Sequence, residues 1–394
     1  MLELNPWIVL LIIWIIIMAI GKSFDVKKRG IEIAPFMIMY KTERLNQFLR
    51  KIAKKSPRFW RALWDLGIVV GFFGMGYIFY TLYMNLVAFF TAPANAGAVV
   101  PIIPGITVSG MPLVYILIGL TITLLTHELA HGIAAEADDI PVKSSGLVFL
   151  LVLIGGFVEP DEEVIKKAPI RKRMRVYGAG SFSNIIFGFL FMIMIMNFPA
   201  LISLTNQPAA GVYVYNIQQG GPADGVITPG TIIYSLNGTQ IETWTDLGMF
   251  MQNTTPGSIL IINTSNGILQ LTLGTNPSNP NIGYIGIYGT TYYPPRPWAT
   301  WIDPMVSTHL YMTLTWSMIV LISVGMFNLL PLIPLDGDYL LSDLLTKALK
   351  EKHIIIKQKE IKAKSIILNS VRLLSLVILA LNFIMTFLTG KPLL

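Results

Sequence analysis

Six long apolar runs with few charged residues limit the folds open to this chain more than any other feature. A helix needs about 20 mostly apolar residues to cross the hydrocarbon core of a bilayer. Runs of about that length occupy residues 6–21, 67–90, 112–135, 177–198, 305–330 and 366–388. Only 13% of the residues are charged, against roughly a quarter in an ordinary soluble domain. The sequence therefore predicts an α-helical polytopic membrane protein with about six transmembrane helices.

The positive charges predict how these helices cross the membrane. Residues 22–66 carry 12 of the 29 Lys and Arg, residues 136–176 and 331–365 carry 7 each, and residues 91–111 carry none. Because Lys- and Arg-rich connections stay in the cytoplasm, we expect a multi-pass protein of the cell membrane with both termini extracytoplasmic. The positive charge follows the first run instead of preceding it, which argues against a signal peptide. The net charge of +7 thus reflects membrane orientation, and no nucleic-acid partner is predicted.

Two of the cytoplasmic segments have patterns of their own. Residues 41–64 place apolar side chains on one helical face with Lys and Arg around it, which predicts an amphipathic helix in the lipid headgroup region. Residues 146–158 (GLVFLLVLIGGFV) are too few to span a bilayer. Their content of Val, Ile, Phe and Gly favours a membrane-associated hairpin or re-entrant segment.

Between the fourth and fifth runs the pattern changes to short alternating strands. Apolar stretches are separated there by Gly, Pro and Asn, and residues 245–252 can form one short helix. We predict a small β-rich extracytoplasmic domain over residues 205–295. The order of its motifs, which starts with Gly220-Gly221-Pro222-Ala223, resembles the PDZ domains of membrane and periplasmic proteases; another β-sandwich or barrel is the alternative. The resemblance implies that a peptide end binds by strand addition, with Gly220 and Gly221 as substrate-binding residues.

The end of the third run carries side chains that can bind a metal ion and transfer protons. It reads Thr126-His127-Glu128-Leu129-Ala130-His131-Gly132, and side chains four residues apart lie on one face of a helix. His127 and His131 can thus bind one metal ion, and Glu128 can take a proton from a water that the ion has made acidic. The chain has no cysteine, so any further ligand must be His, Asp or Glu. The alternative is chance packing of polar residues, but ionisable groups within a span usually have a function.

A catalytic zinc ion needs a third protein ligand, and Asp336 is the best candidate. It ends an apolar stretch, residues 328–336 (NLLPLIPLD), in which two prolines break the helix. Because the third and fifth spans are predicted to run in the same direction, all three ligands would lie near the cytoplasmic ends of their helices. Less suitable candidates are Asp338, His309, His353 and the acidic cluster of Glu159, Asp161, Glu162 and Glu163.

Three motifs together resemble the site-2 protease family of intramembrane zinc metalloproteases. They are HELAH at residues 127–131, a GxxxN pattern from Gly180 to Asn184, and NxxPxxxxDG from Asn328 to Gly337. The resemblance implies that the protein works in the lipid bilayer. Its reaction would be the hydrolysis of peptide bonds in or near transmembrane helices of membrane-anchored protein substrates.

The resemblance also implies a role for each motif residue. The ligands of Zn²⁺ would be His127, His131 and Asp336. Glu128 would act as general base and acid, and Asn328 would contact the substrate backbone or the oxyanion. Asn184 would contact the substrate as well, and the hairpin at residues 146–158 would offer a strand edge to an unwound substrate.

The predicted organisation follows the spans. Its parts are residues 1–66 (first transmembrane helix and basic amphipathic segment), 67–111 (second helix and outer loop), 112–199 (protease core with the HExxH helix, the hairpin and the fourth helix), 205–295 (PDZ-like domain), 305–345 (fifth helix with NxxPxxxxDG) and 346–394 (basic loop and sixth helix).

Two other functions use the same motifs. One is a metal or proton transporter with the four ionisable residues as its path, and the other is an inactive relative that binds membrane helices. A transporter predicts polar residues through the whole depth of the bilayer, whereas here they cluster at one end. An inactive relative predicts the loss of Glu128, which is present. The protease is therefore favoured.

Overall fold

The computed structural model describes residues 6–23, 30–101, 107–108, 110–151, 153–277, 279–349, 353–356 and 359–389. The chain divides into two compact units. We call Met1–Met192 together with Thr315–Leu394 the helical unit, and Ile193–Leu314 the inserted unit.

Most of the helices belong to the helical unit, and the short helices Phe198–Ile202 and Trp244–Met251 belong to the inserted unit. In chain order, the α-helices of the described residues are α1 (Pro6–Ser23), α2 (Glu43–Lys55), α3 (Pro57–Thr91), α4 (Gly110–Ala137), α5 (Glu162–Lys167), α6 (Ile170–Met196), α7 (Phe198–Ile202), α8 (Trp244–Met251), α9 (Met305–Phe327), α10 (Asp336–Leu349) and α11 (Ala363–Leu388). Within that part of the chain, five helices are long and apolar enough to cross a membrane, namely α3, α4, α6, α9 and α11. They coincide with five predicted spans. The sixth, at α1, remains a prediction.

Strands form separate sheets in the two units. They are β1 (Ile31–Ala34), β2 (Met37–Lys41), β3 (Val142–Leu150), β4 (Leu153–Pro160), β5 (Val212–Ile217), β6 (Ile232–Leu236), β7 (Thr239–Gln240), β8 (Ile259–Thr264), β9 (Gly267–Thr272), β10 (Gly274–Asn276), β11 (Asn279–Tyr284), β12 (Ile287–Thr291), β13 (His353–Ile356) and β14 (Lys359–Lys362).

The single amphipathic helix predicted over residues 41–64 is wrong in its extent. α2 ends at Lys55, and α3 begins at Pro57 and includes Trp60 and Trp64. The break follows from Pro57, because a proline disfavours helical backbone at the residue before it. α2 itself is amphipathic, with Leu49 fully buried. The hairpin of β1 and β2, just before α2, was not predicted.

The hairpin predicted at residues 146–158 is confirmed. β3 and β4 pair antiparallel, with Gly146 opposite Phe157. β1 and β2 extend the pair to a four-stranded sheet in the order β1-β2-β3-β4, which leaves β4 at an edge. β4 packs on α4, since a Cβ added to Gly156 would lie 3.3 Å from the side chain of Leu125. The sheet edge thus lies alongside the helix that carries the HELAH motif.

Small residues let the long helices approach one another closely. A Cβ on Gly178 of α6 would lie 3.4 Å from the backbone oxygen of Gly67 on α3. One on Gly325 of α9 would lie 3.1 Å from the backbone oxygen of Ser181 on α6. Close packing of this kind stabilises helices in lipid, where no hydrophobic effect drives them together. The first contact holds α6 close to α3, and the second holds the end of α9 close to α6.

The inserted unit contains the predicted β-rich region. Its main sheet has the order β12-β5-β6-β8-β9, with β7 paired to β6. Val212, Ile233 and Ile262 are fully buried in its core. The predicted short helix is α8, which begins with a capping box between Thr243 and Asp246. β12 is an edge strand of this sheet.

Candidate active site

The two histidines of the HELAH motif meet on α4, as their spacing predicts. Their Nε2 atoms lie 3.1 Å apart, and the ring planes are inclined by 79°. The side chains are only 10% and 13% exposed. Each has its other nitrogen, Nδ1, turned to a protein group: that of His131 lies 2.7 Å from the carbonyl oxygen of Val176, and that of His127 lies 3.3 Å from the amide of Asn184. Both Nε2 atoms are therefore left for a ligand.

Asp336 reaches the histidines because the chain turns sharply after α9. α9 ends at Phe327, and α10 begins with Asp336. The backbone N–H of Gly337 donates to the carbonyl oxygen of Asn328 at 2.8 Å. A Cβ on Gly337 would lie 2.0 Å from the carbonyl oxygen of Leu329. Only glycine fits there, which explains why an Asp-Gly pair follows the prolines.

The three predicted ligands present the geometry of a zinc site. His127 Nε2 lies 3.4 Å from Asp336 Oδ2, and His131 Nε2 lies 3.5 Å from Asp336 Oδ1. With bonds of about 2.0–2.1 Å, the ligand atoms of a tetrahedral zinc ion are about 3.3 Å apart. The described residues contain this His-His-Asp group as a candidate metal centre. Two imidazole nitrogens and a carboxylate oxygen are also the type of donor that zinc binds, so the residues fit the predicted cofactor.

The other predicted active-site residues line the same cavity. It has a volume of about 300 Å³, and Glu128, Asn184 and Asn328 lie in its wall with the three ligands. Glu128 Oε2 accepts a hydrogen bond of 3.2 Å from the backbone N–H of Val158 on the edge strand β4. Asn184 is fully buried. The structure thus brings together six of the eight residues predicted for the site.

Two hydroxyl groups that the sequence analysis did not single out hold residues of the site. Ser181 Oγ donates to Asp336 Oδ2 at 3.0 Å, and Thr126 Oγ1 on α4 donates to Asn184 Oδ1 at 2.9 Å. A Cβ on Gly180 would lie 2.5 Å from His131 Nε2. The GxxxN pattern marked this stretch. The pattern has a physical reason. The histidine rings occupy the space that a side chain at residue 180 would need, and Asn184 contacts His127.

The alternative ligands considered from the sequence have other partners or positions. Asp338 forms a bidentate ion pair with Arg372, with both distances at 2.6 Å. Asp161 caps α5 by accepting from the backbone N–H of Glu163 at 2.9 Å. His309 lies on α9 and His353 on β13, and neither belongs to the His-His-Asp group.

The two glycines predicted for peptide binding lie in a turn after β5. Gly220 has a φ of +68°, and its N–H donates to Asp224 at 2.8 Å. Gly221 lies beside Gly286, because a Cβ on Gly286 would be 3.5 Å from the Gly221 Cα. Gly286 directly precedes β12, so the turn adjoins one end of this edge strand. A role of either glycine in binding stays a prediction.

Comparisons with known proteins agree with the motifs. The family described as peptidase family M50 matches residues 115–377. An uncharacterized protein of Methanocaldococcus jannaschii is 30% identical over 344 residues, which cover 84% of this chain and 82% of that protein. A membrane-bound transcription factor site-2 protease homolog of Arabidopsis thaliana is 28% identical over 43% of this chain and 32% of its own length.

Among solved structures, the PDZ domain of the SdrC-like protein from Listeria monocytogenes is 21% identical to this chain. It covers 20% of this chain and 87% of its own, with a TM-score of 0.19. The M50 match extends over more than half of the chain and includes all three proposed ligands. This chain belongs to peptidase family M50, the site-2 protease family.

Proposed function

We propose that this protein is an intramembrane zinc metalloprotease that cleaves peptide bonds in or near the transmembrane helices of membrane-anchored proteins. The observation that carries the proposal is one cavity in which three zinc-type donors, at 3.1–3.5 Å from one another, lie beside the carboxylate of Glu128. This cavity is built on helices long enough to cross a membrane. This arrangement suits the hydrolysis of a peptide bond in such a substrate.

The residues have distinct parts in the reaction. Zinc, when bound to His127, His131 and Asp336, would polarise the peptide carbonyl and make a water acidic. Glu128 accepts the proton of the attacking water and passes it to the leaving amine as the C–N bond breaks. Asn328, in the same wall, can donate a hydrogen bond from its amide to the carbonyl oxygen, where negative charge develops.

The edge strand β4 is a suitable place for the substrate backbone. A helix must unwind before its peptide bond can be attacked, since its carbonyl groups are hydrogen-bonded within the helix. An unwound segment can pair with a free strand edge. β4 offers that edge, and the contact between Val158 and Glu128 ties it to the site.

The distribution of Lys and Arg supports an active site near the cytoplasmic side. The three connections with 26 of the 29 positive residues would be cytoplasmic, which puts both termini outside and the HELAH end of α4 inside. Because the chain has no cysteine, single cysteines can test this orientation without background labelling. Labelling of Lys167→Cys from outside intact cells would contradict it.

The inserted unit would be a PDZ-like domain that holds a peptide end. Supporting this, α8 lies beside the edge strand β12: a Cβ on Gly289 would lie 2.6 Å from the ring of Trp244. A cavity of about 500 Å³ next to them is lined by Tyr215 and Tyr288 among others. A peptide can extend the sheet at β12. Unchanged binding of peptide ends by the full chain after Tyr288→Ala would argue against this groove.

The decisive experiment is proteolysis in reconstituted vesicles. The purified chain, loaded with zinc, is mixed with a substrate that has one transmembrane helix, and the products are identified by mass spectrometry. Wild type should cleave within or at the edge of the helix. Glu128→Gln should keep its zinc and lose activity by about 10²- to 10⁴-fold, the usual contribution of a general base.

Other outcomes would separate the competing functions. Equal cleavage by wild type and Glu128→Gln would mean that Glu128 is not the base. No cleavage by the zinc-loaded wild type, together with zinc-dependent ion flux across the vesicle, would favour the transporter. Zinc binding with neither activity would favour an inactive relative.

A further inference from the structure

A second cavity of the helical unit lies between α2, α3, α4 and α6. Its volume is about 280 Å³, and its wall is almost wholly apolar, with Phe48, Ile52, Leu129 and Phe187 among the lining residues. It is open at its margin, since Phe48 is 52% and Phe187 36% exposed. The margin is formed by a helix that could span the membrane and by an amphipathic helix. An apolar group that enters from the lipid side would suit it.

One buried indole N–H behind this wall has no partner among the described residues. Trp60 and Trp64 stack with ring centroids 5.7 Å apart, and Trp60 Nε1 donates to the carbonyl oxygen of Ile52 at 3.0 Å. Trp64 is only 4% exposed, and among the described residues its Nε1–H has no acceptor. Unpaired buried donors are rare in native structures because they are costly. The nitrogen itself has almost no accessible surface, so the wall offers an occupant apolar contacts and almost no polar group.

The charges of α2 differ between its two sides. On one side, Arg50 pairs with Glu136 at 3.2 Å. On the same side Lys54 donates a hydrogen bond to Asp139, which lowers the pKa of that carboxyl group. These two cations are thus engaged by acidic groups of the protein.

The other side of α2 carries cations that no described residue pairs with. They are Arg44, Lys51 and Lys55, all of them exposed. At about 100° per residue, all three lie within about 100° of both Phe48 and Ile52, the α2 residues in the outer wall of the cavity. The unpaired positive charges therefore flank its opening.

We propose that this cavity binds a chain of an anionic membrane phospholipid. The apolar wall takes the hydrocarbon chain, and the cations of α2 contact the phosphate-bearing headgroup. The apolar wall and the positive charges at its opening match the hydrocarbon chain and the anionic headgroup of such a lipid. The inference does not depend on the proposed protease activity.

Side-chain contacts connect the wall of this cavity to the active site. Thr126 lines the apolar cavity, and its hydroxyl donates to Asn184 at 2.9 Å, the residue that contacts His127. The filled cavity would hold α4 against α6 at this level. Bound lipid would thereby hold Thr126 and Asn184 in place. Asn184 in turn contacts His127, one of the proposed zinc ligands.

The test is photocrosslinking of the full chain in vesicles of zwitterionic phospholipid. A trace of phosphatidylglycerol with a diazirine on its acyl chain is added, and crosslinked peptides are mapped. We expect crosslinks concentrated on the cavity residues of α2, α4 and α6, removed by unlabelled phosphatidylglycerol and not by phosphatidylcholine. Lys51→Glu with Lys55→Glu should reduce them at least about tenfold, because each cation near a membrane surface contributes to binding of anionic lipid.

Two controls make the result specific. Lys167→Glu with Lys347→Glu reverses two exposed charges on α5 and α10 and should leave crosslinking unchanged. Leu63→Trp fills the cavity from α3 and should abolish crosslinks there while the helical content, measured by circular dichroism, is retained. Equal labelling of all lipid-facing helices, or equal competition by both lipids, would overturn the proposal.

Discussion

Two cavities of nearly equal volume lie along one helix, α4, and they differ in almost every other respect. One, of about 300 Å³, is lined by His127, Glu128 and His131; the other, of about 280 Å³, by Leu129, Ala130 and Ile133. All six residues lie within one stretch, residues 127–133, and each of them lines one cavity only. At about 100° per residue, the helix turns the first set to one face and the second set to another.

The two cavities differ in how the groups that line them are held. In the polar cavity every ionisable group has a fixed neighbour: His131 faces Val176, Asp336 faces Ser181, and Glu128 faces Val158. The apolar cavity presents almost no polar group to an occupant. Catalysis needs groups held before the substrate arrives, whereas the proposed lipid site needs an apolar wall and positive charges at its opening.

The largest effect is expected at Asp336, the proposed third zinc ligand, with Asp338 as its control. Asp336→Asn should weaken zinc binding at least about 100-fold, because loss of even an outer contact to a ligand costs about 10- to 100-fold. Asp338→Asn should retain zinc and lower stability by about 3 kcal/mol, since it leaves Arg372 without its partner. Zinc content and thermal unfolding measure the two effects. Equal zinc affinity of Asp336→Asn and wild type would remove Asp336 from the ligand set.

Gly180→Ala should disturb the polar cavity alone. The new Cβ would lie 2.5 Å from His131 Nε2 and 2.6 Å from His127 Cε1, so both rings must move. Because displacement of catalytic groups by about 1 Å can cost about 100-fold, we expect activity to fall by about 10- to 100-fold. Gly76→Ala on α3 is the matched control, as its Cβ would meet nothing within 4 Å. Equal activities of the two variants would contradict the crowding at Gly180.

Accessibility to charged reagents should also distinguish the cavities. The chain has no cysteine, so Val324→Cys reports on the polar cavity and Ile133→Cys on the apolar one. A negatively charged thiol reagent should modify the first at least about tenfold faster, because a charge enters an apolar site at high cost. An uncharged maleimide should reduce the difference. If the charged reagent modified both cysteines at one rate, the apolar cavity would be hydrated.

The smallest effect is expected at Thr126, which lines the apolar cavity and donates a hydrogen bond to Asn184 in the wall of the polar one. Thr126→Val removes the hydrogen bond to Asn184 and keeps the shape of the side chain. One such hydrogen bond contributes about 0.5–1.5 kcal/mol, so the specificity constant kcat/KM should fall by about 2- to 10-fold. Thr126→Ser should restore it. A loss that Thr126→Ser does not restore would point to packing instead of the hydrogen bond.

Several parts of the fold were predictable because they depend on local pattern. The apolar runs predicted five helices able to span a membrane, the content of residues 146–158 predicted a hairpin, and the alternation in residues 212–273 predicted β5 to β9 of the inserted unit but not β10 to β12. The break at Pro57 is equally local and was missed because the amphipathic pattern continues past it. The hairpin of β1 and β2 was missed since its strands, at four and five residues, are short.

The sequence by itself determined the chemistry of the site. HELAH sets two imidazoles one helical turn apart, and NxxPxxxxDG supplies a carboxylate after a break in an apolar helix. Spacing within one helix can be read from the chain because the helical repeat is fixed.

Only the tertiary structure decided which distant groups complete that site. It placed Ser181 against Asp336 and Thr126 against Asn184, and it paired Asp338 with Arg372. It also enclosed the apolar cavity, whose wall comes from four helices with lining residues between Phe48 and Phe187. Such contacts depend on how closely whole helices approach one another, and that distance is set by small residues such as Gly180 and Gly325 on helices packed together.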